Sequence, residues 1–218
     1  MGIRIVLADD HGMMREGLKS LISKQMGMEV VGEAEDGYGV VRLVNDLKPD
    51  LVVMDIGMPN LNGIEATRQI VSETEDIKVL ALSQYSDPRM VSEMFCAGAK
   101  GFVLKDSAFD ELICAINAVY TDRTYVSPDV AGDLINRHIR HAESGEQTSA
   151  FRQLTDRERE ILQLISEGKT TKDIATKLCR SAKTIETHRR NIMQKLDLHS
   201  LPELTKYAVR QGLTELDK

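Results

Sequence analysis

With 218 residues and 42% apolar content the chain can bury one large core or two smaller ones, and its net charge of −6 hides a split that favours two: 14 Lys and Arg against 24 Asp and Glu in residues 1–150, 14 against 10 in residues 151–218. Three widely spaced cysteines, Cys96, Cys114 and Cys179, form no CxxC or Cys/His pattern, which excludes a disulfide scaffold or zinc finger and predicts a reduced chain whose thiols serve packing. Ile5-Val6-Leu7-Ala8 breaks at once into Asp9-Asp10, too short for a signal peptide, and no run approaches membrane-span length, so a soluble, cytoplasmic chain with no membrane partner is expected.

Ile3 to Ala8 reads as a first strand, and Met14, Leu18, Leu21 and Ile22 follow at helical spacing. Val30-Val31 opens a second strand, and Val40, Val41, Leu43, Val44 and Leu47 mark a second helix, ended by Pro49. Leu51-Val52-Val53-Met54 reads as a strand buried on both faces, with Asp55 at its carboxyl end, and Ile64, Thr67, Ile70 and Val71 give the helix after it. Val79 to Leu82 is a fourth strand, and Asp87-Pro88 supplies the N-cap and first-turn proline of a fourth helix. Gly101 to Leu104 is a fifth strand, and Leu112, Ile113, Ile116 and Val119 fill one face of a fifth helix. This alternation predicts a doubly wound α/β domain: a five-stranded parallel sheet, order 2-1-3-4-5, with helices on both faces.

Ser127-Pro128 starts a helical segment through about His138, and residues 142–150 lack periodicity and read as linker. His138 and His141 lie one helical turn apart with no third ligand near, which reads as a solvated surface. From Leu154 the pattern is helical: a capping box at Thr155–Glu158, an apolar face of Ile161, Leu162 and Ile165, and closure at Gly168. A short helix with Ile174, Ala175 and Leu178 precedes the tight turn Cys179-Arg180-Ser181. Ser181 caps a third helix to about Leu196, and a capping box at Ser200–Glu203 opens a fourth, closed by Gly212. The middle pair suggests a helix-turn-helix in a smaller, all-α domain. The expected boundaries are 1–122, 123–150 and 151–218.

Asp9 and Asp10 end strand one, Asp55 ends strand three, Ser83 strand four and Lys105 strand five. In the expected strand order these ends meet at one crevice. Packed carboxylates raise one another's pKa unless a cation intervenes, and Mg2+ suits an all-oxygen set that must also accept phosphate. An aspartate with a metal, a lysine and a hydroxyl is the constellation of a phosphoryl acceptor, in which the carboxylate becomes an acyl phosphate.

Residues 1 to about 120 resemble the receiver domain of two-component response regulators, through Asp9-Asp10, the run Asp55-x-x-Met58-Pro59-x-x-x-Gly63, Ser83 and Lys105. The resemblance implies a flavodoxin-like fold and transfer of a phosphoryl group from a sensor histidine kinase to Asp55. It implies that Asp10, Asp55 and the Gly57 carbonyl bind Mg2+, that Asp9 helps through water, and that Lys105 pairs with the phosphoryl group. Family switching couples the hydroxyl of Ser83 to an inward turn of the aromatic three residues before the lysine, here Phe102. That residue carries no phenolic hydroxyl, so only a packing change is open to it, and Asp106 stands where many receivers have proline.

Between Lys169 and Lys195 there are eight Lys or Arg and two acids, an electrostatic footprint for the phosphate backbone of double-stranded DNA. Ile185, Ile192 and Leu196 form the buried stripe of the third helix, with His188 packed beside them, leaving Lys183, Thr187, Arg190 and Gln194 opposite for the major groove. Residues 154 to 212 resemble the LuxR-type helix-turn-helix, through Leu154-Thr155-x-Arg157-Glu158, Gly168, Ile174-Ala175, Thr184-Ile185-Glu186-x-His188, Ile192 and Lys195-Leu196. Receiver plus this module is the arrangement of the NarL/FixJ subfamily. The resemblance implies that Glu186, Thr187 and Arg190 read bases, that Lys183 and Arg189 meet phosphates, and that the last helix pairs copies on DNA.

These features predict a transcription regulator, not an enzyme, that forms a homodimer when phosphorylated or on DNA and engages the transcription machinery. An aspartate-nucleophile phosphatase is the rival. Such enzymes typically place a general acid two residues after the nucleophile, where this chain has Gly57, and they carry a cap domain that is not present here. A module serving only protein contacts is the other alternative.

Overall fold

Successive side chains of a strand point to opposite faces, and in this chain both faces are apolar. Ile5 and Leu7, Leu51 and Val53, and Leu80 and Leu82 bury one face of a sheet; Val6 and Ala8, Val52 and Met54, and Val79 and Ala81 bury the other. Such a sheet needs helices above and below it. The structure, a computed structural model, describes residues 2–74, 76–107, 109–134 and 150–214. The chain folds as two compact units, Met1–Gly145 and Glu146–Lys218.

The first unit alternates β1 (Ile3–Ala8), α1 (Gly12–Ile22), β2 (Met28–Ala34), α2 (Gly37–Leu47), β3 (Leu51–Asp55), α3 (Gly63–Glu73), β4 (Lys78–Ser83), α4 (Pro88–Cys96), β5 (Gly101–Leu104), α5 (Phe109–Tyr120) and β6 (Tyr125–Val126). Helical residues 128–134, here α6, follow. Leu18 and Ile22 of α1 and Leu112, Ile116 and Val119 of α5 cover one face, while Val40, Val44, Ile70, Val91 and Met94 of α2 to α4 cover the other. Each such side chain, fully buried, stabilises the fold by about 1.5–3 kcal/mol.

All pairings are parallel and the order is β2-β1-β3-β4-β5-β6. The expected order holds, but the sheet has six strands, not five. The sixth pairs Gly101 with Tyr125 and Phe102 with Val126. Two residues are too short to show a period, and what holds them is tertiary: Ser127 N–H donates to the Phe102 carbonyl at 3.0 Å and its hydroxyl donates to Glu111. Val130 of α6 then buries itself in the core that also holds Phe102.

Side-chain caps open the helices, at Asp87 as expected. Asp36, Asn62 and Asp87 cap α2, α3 and α4 through their side chains, with Pro88 opening α4. Gly63 is required at the start of α3, because a Cβ there would stand 2.0 Å from the Asp55 carbonyl oxygen. Its N–H donates to the Ile56 carbonyl at 3.0 Å, so α3 begins against the end of β3.

The second unit comprises a 3-10 turn (Ala150–Gln153), α7 (Asp156–Ser166), α8 (Thr171–Lys177), α9 (Ala182–Leu196) and α10 (Leu201–Arg210). Capping boxes open α7 and α10 at Thr155/Glu158 and Ser200/Glu203, and a further one, Thr170/Asp173, opens α8. The turn between α8 and α9 holds Cys179 at φ +50°, and Ser181 caps α9. Ile161, Leu162, Leu164, Ile174, Ile185, Ile192 and Leu204 make the core.

All three cysteines are exposed, against the packing role expected of them. Cys96 follows the buried Met94 by two residues and therefore faces away from the core. His138, His141 and linker residues 142–149 lie outside the described residues. No described helix is long and apolar enough to cross a membrane.

Candidate functional site

The register of the sheet assembles the acids. Leu7 pairs with Val53 and Ala8 with Met54, so the chain leaving β1 passes beside the end of β3 and brings Asp9 and Asp10 to Asp55. On the other side Asp55 pairs with Leu82 and Ser83 with Leu104, which carries Lys105 to the same edge. Lys105 Nζ stands 2.7 Å from Asp9 Oδ2 and 2.9 Å from Asp55 Oδ2, with its side chain only 5% exposed. Asp9 and Asp55 are buried at 2% and 4% exposure.

Burial pushes the Asp55 carboxyl above the usual aspartate range; the Lys105 ammonium works against this shift and the Asp9 charge adds to it. Asp55 Oδ1 accepts from the Gly57 N–H at 3.3 Å, which holds the start of the β3–α3 loop to the carboxylate. Asp9 Oδ2 is buried and faces the Lys105 ammonium. Three carboxylates with one ammonium leave local negative charge and oxygen lone pairs that fit a hard divalent ion such as Mg2+.

One member of this cluster was not foreseen. His11, the N-cap of α1, places Nδ1 2.9 Å from Asp10 Oδ1 and 3.2 Å from Asp9 Oδ1, and donor atoms of Asp9, Asp10, His11 and Asp55 all lie within 4.8 Å of one another. Arg15 also reaches in, donating from Nη1 to the Asp9 carbonyl at 2.6 Å.

Ser83 lies at the same edge, 2% exposed, but its hydroxyl donates to the Tyr85 carbonyl at 3.0 Å and accepts from the Tyr85 N–H at 3.1 Å. It is engaged with its own loop. Phe102 is fully buried among Met94, Val126 and Val130, so its ring already occupies an inward position.

In the second unit, α9 buries Ile185, Ile192 and Leu196 and exposes Lys183, Glu186, Thr187, Arg190 and Gln194; Arg189 and His188 are half-buried. Thr187 donates its hydroxyl back to the Lys183 carbonyl at 3.0 Å. Lys169, Lys172, Lys177 and Arg180 are exposed as well, so the excess of positive charge around α8 and α9 faces solvent. His188 Nδ1 is buried without a hydrogen-bond partner, as befits a ring packed for its apolar surface.

Residues 5–117 match the model of the response regulator receiver domain, and residues 152–208 match that of the bacterial regulatory proteins of the luxR family. The chain is 39% identical over 216 residues to the oxygen regulatory protein NreC of Staphylococcus carnosus, covering 98% of this chain and all of that one. Among solved structures, a LuxR-family two-component response regulator from Aurantimonas sp. SI85-9A1 is similar at 37% identity and a TM-score of 0.62, over 64% of this chain and 99% of that one. The RcsB response regulator of Salmonella typhimurium is similar at 25% identity and a TM-score of 0.59, over 96% and 99%. With an acid-and-lysine edge on the sheet of one unit and a basic helix-turn-helix in the other, the chain belongs to the response regulators, of the NarL/FixJ type that joins a receiver domain to a LuxR-type DNA-binding domain.

Proposed function

We propose that this response regulator controls transcription through phosphorylation of Asp55 by a sensor histidine kinase, in a Mg2+-dependent transfer. The single observation that carries this is the Lys105 ammonium within 2.9 Å of both Asp9 and Asp55 at a buried strand edge, a cation placed where phosphoryl oxygens would arrive. An Asp55 carboxylate oxygen attacks phosphorus in line as the phosphorus–nitrogen bond of a phosphohistidine, protonated on its other ring nitrogen, breaks, giving an acyl phosphate and a neutral imidazole. Asp10, Asp55 and the Gly57 carbonyl would hold Mg2+, with Asp9 acting through water; the ion, when bound, neutralises charge on the transferring group. Lys105 moves its hydrogen bonds from the carboxylates to the phosphoryl oxygens. Ser83 leaves Tyr85 for the same group, while Phe102 keeps the space inside.

Lys183 and Arg189 then meet phosphates and Glu186, Thr187, Arg190 and Gln194 face base edges in the major groove of double-stranded DNA. The RcsB relative is described in terms of DNA interaction, which supports this reading. The phosphorylated, cytoplasmic form pairs as a homodimer and acts on the transcription machinery. Gly57, lacking any acid two residues beyond the nucleophile, favours a switch over a turnover phosphatase. Incubation with labelled acetyl phosphate and Mg2+ tests the reading: Asp55→Asn loses all label, and retained label would move the acceptor elsewhere. Footprinting on genomic fragments with and without phosphorylation tests the output.

A further inference from the structure

We propose that Ser127 is the junction through which a phosphoryl group on Asp55 acts on α6: its hydroxyl fastens the start of that helix to the end of β5 in the resting fold and lets go when Lys105 is re-aimed. The junction has a signal to carry only if Asp55 is the phosphoacceptor, so it rests on that reading.

At the end of β5 two successive amides are held from opposite sides. The Lys105 N–H donates to the Ser83 carbonyl at 2.7 Å, on the β4 side, and the Leu104 N–H donates to the Ser127 hydroxyl at 3.3 Å, on the β6 side. Ser127 is 1% exposed. Its N–H donates to the Phe102 carbonyl, its hydroxyl donates to Glu111 of α5, and its carbonyl accepts from the N–H groups of Val130 and Ala131, at 2.9 and 3.0 Å, in the first turn of α6. One buried residue thus ties α5, β5 and α6 together. Val130 and Leu134 seat α6 on the core that holds Phe102, and α6 is the last described helix before the chain passes to the second unit.

The two bonds on the end of β5 differ in strength. An N–H to oxygen distance of 2.7 Å lies at the short end of the usual range, and one of 3.3 Å lies just beyond its long end. Phosphoryl oxygens added to Asp55 draw the Lys105 ammonium from its present contacts and draw the Ser83 hydroxyl from Tyr85. Both moves displace the peptide between Leu104 and Lys105. Because the shorter bond makes that peptide follow Ser83, the displacement is taken up at the longer one. The Leu104 N–H then leaves Ser127, and the start of α6 loses its hold on the strand beside Lys105.

Hydrogen–deuterium exchange of the full-length protein, read by mass spectrometry with and without beryllofluoride and Mg2+, tests this. In the wild type the phosphoryl mimic should alter exchange at residues 83–87 and speed it at residues 129–134 by roughly two- to tenfold, the worth of one neutral hydrogen bond in a local opening. In Ser127→Ala residues 129–134 should exchange that fast without the mimic and gain no more than about twofold when it is added, while residues 83–87 respond as in the wild type. The wild-type comparison does not depend on any variant's folding. A wild type that responds at 83–87 but not at 129–134 overturns the junction and leaves the acceptor reading intact, and so does a Ser127→Ala protein whose 129–134 segment still gains the full wild-type increment. No response at either segment would overturn both.

Discussion

Ser83 is hydrogen-bonded to Tyr85 in both senses, its hydroxyl donating to the Tyr85 carbonyl at 3.0 Å and accepting from the Tyr85 N–H at 3.1 Å. A hydroxyl so engaged must abandon the β4–α4 loop to reach a phosphoryl group on Asp55, and the loop then loses its anchor. The switch on this account is an exchange of hydrogen bonds at one residue. Ser83→Ala should accept phosphate from acetyl phosphate nearly as wild type does, yet lose roughly two- to tenfold of the gain in DNA affinity, the worth of one neutral hydrogen bond. Fluorescence anisotropy on operator DNA with and without beryllofluoride measures it. An unchanged gain removes Ser83 from the switch.

Asp55 is an acid that the fold disfavours in its charged form, since burial, joined by the Asp9 charge, raises its pKa against the pull of Lys105. A carboxyl whose folded pKa exceeds its unfolded one costs stability once ionised, at any pH above the folded value, and the cost disappears as pH falls below the unfolded value. Asp55→Asn should therefore melt at a higher temperature than wild type at neutral pH. A divalent ion reverses the balance. Mg2+ at ten times its dissociation constant should stabilise wild type by about 1.4 kcal/mol through linkage, and the variant by much less. Equal Mg2+ responses in thermal melts would take Asp55 out of the metal site.

The strand ends were legible because two rules fixed them without coordinates. Buried parallel strands show as unbroken apolar runs, and right-handed crossovers leave few orders in which Asp9, Asp55, Ser83 and Lys105 avoid meeting. The residues that escaped notice lack any period. His11 is one polar residue after two acids, and only the geometry of the α1 N-terminus turns its ring inward. The partner of Ser83 is a backbone group of the following loop, which composition does not encode. Tyr125 and Val126 join the sheet through contacts made by Ser127 with Phe102 and Glu111, distant in sequence. The Thr170/Asp173 capping box, by contrast, was written in the chain and was obscured by the lysines around it.

The exposed face of α9 separates two kinds of contact that salt should distinguish. Lys183→Ala and Arg190→Ala remove charge from exposed positions. A side chain that meets only phosphate should lower the slope of log K against log salt by about 1 and weaken all sequences alike. Glu186→Ala should leave that slope nearly unchanged and relax preference at one base pair, by about 1–3 kcal/mol if its carboxylate accepts from a cytosine. Titrations at several salt concentrations on specific and scrambled duplexes separate the outcomes. A slope unmoved by both basic substitutions would place the DNA elsewhere.

Glu158 binds the second unit together and makes its stability depend on acid. The carboxylate accepts from the Thr155 N–H at 2.8 Å, completes the α7 capping box and pairs with Lys195 Nζ at 2.6 Å, while Lys195 also donates to the Gln153 carbonyl at 3.2 Å. One group thus joins α7, the end of α9 and the 3-10 turn before them. Burial alone would raise its pKa, but Lys195, the Thr155 N–H and the Thr155 hydroxyl together hold it below the ordinary glutamate value of 4.5. A depressed folded pKa gives stability that is complete above the unfolded value and is lost as pH falls through the folded one. The unit should therefore keep a constant melting temperature from neutral pH down to about 4.5 and lose stability below it. Glu158→Gln keeps a capping side chain but not the charge, and Lys195, 35% exposed, can return to water. The substitution should cost about 1 kcal/mol at neutral pH, after discounting for that exposure, and flatten the acid limb. Thermal melts of the full-length protein between pH 3 and 7, followed at the helical signal, decide it: an acid limb as steep in Glu158→Gln as in wild type assigns the sensitivity to another carboxylate.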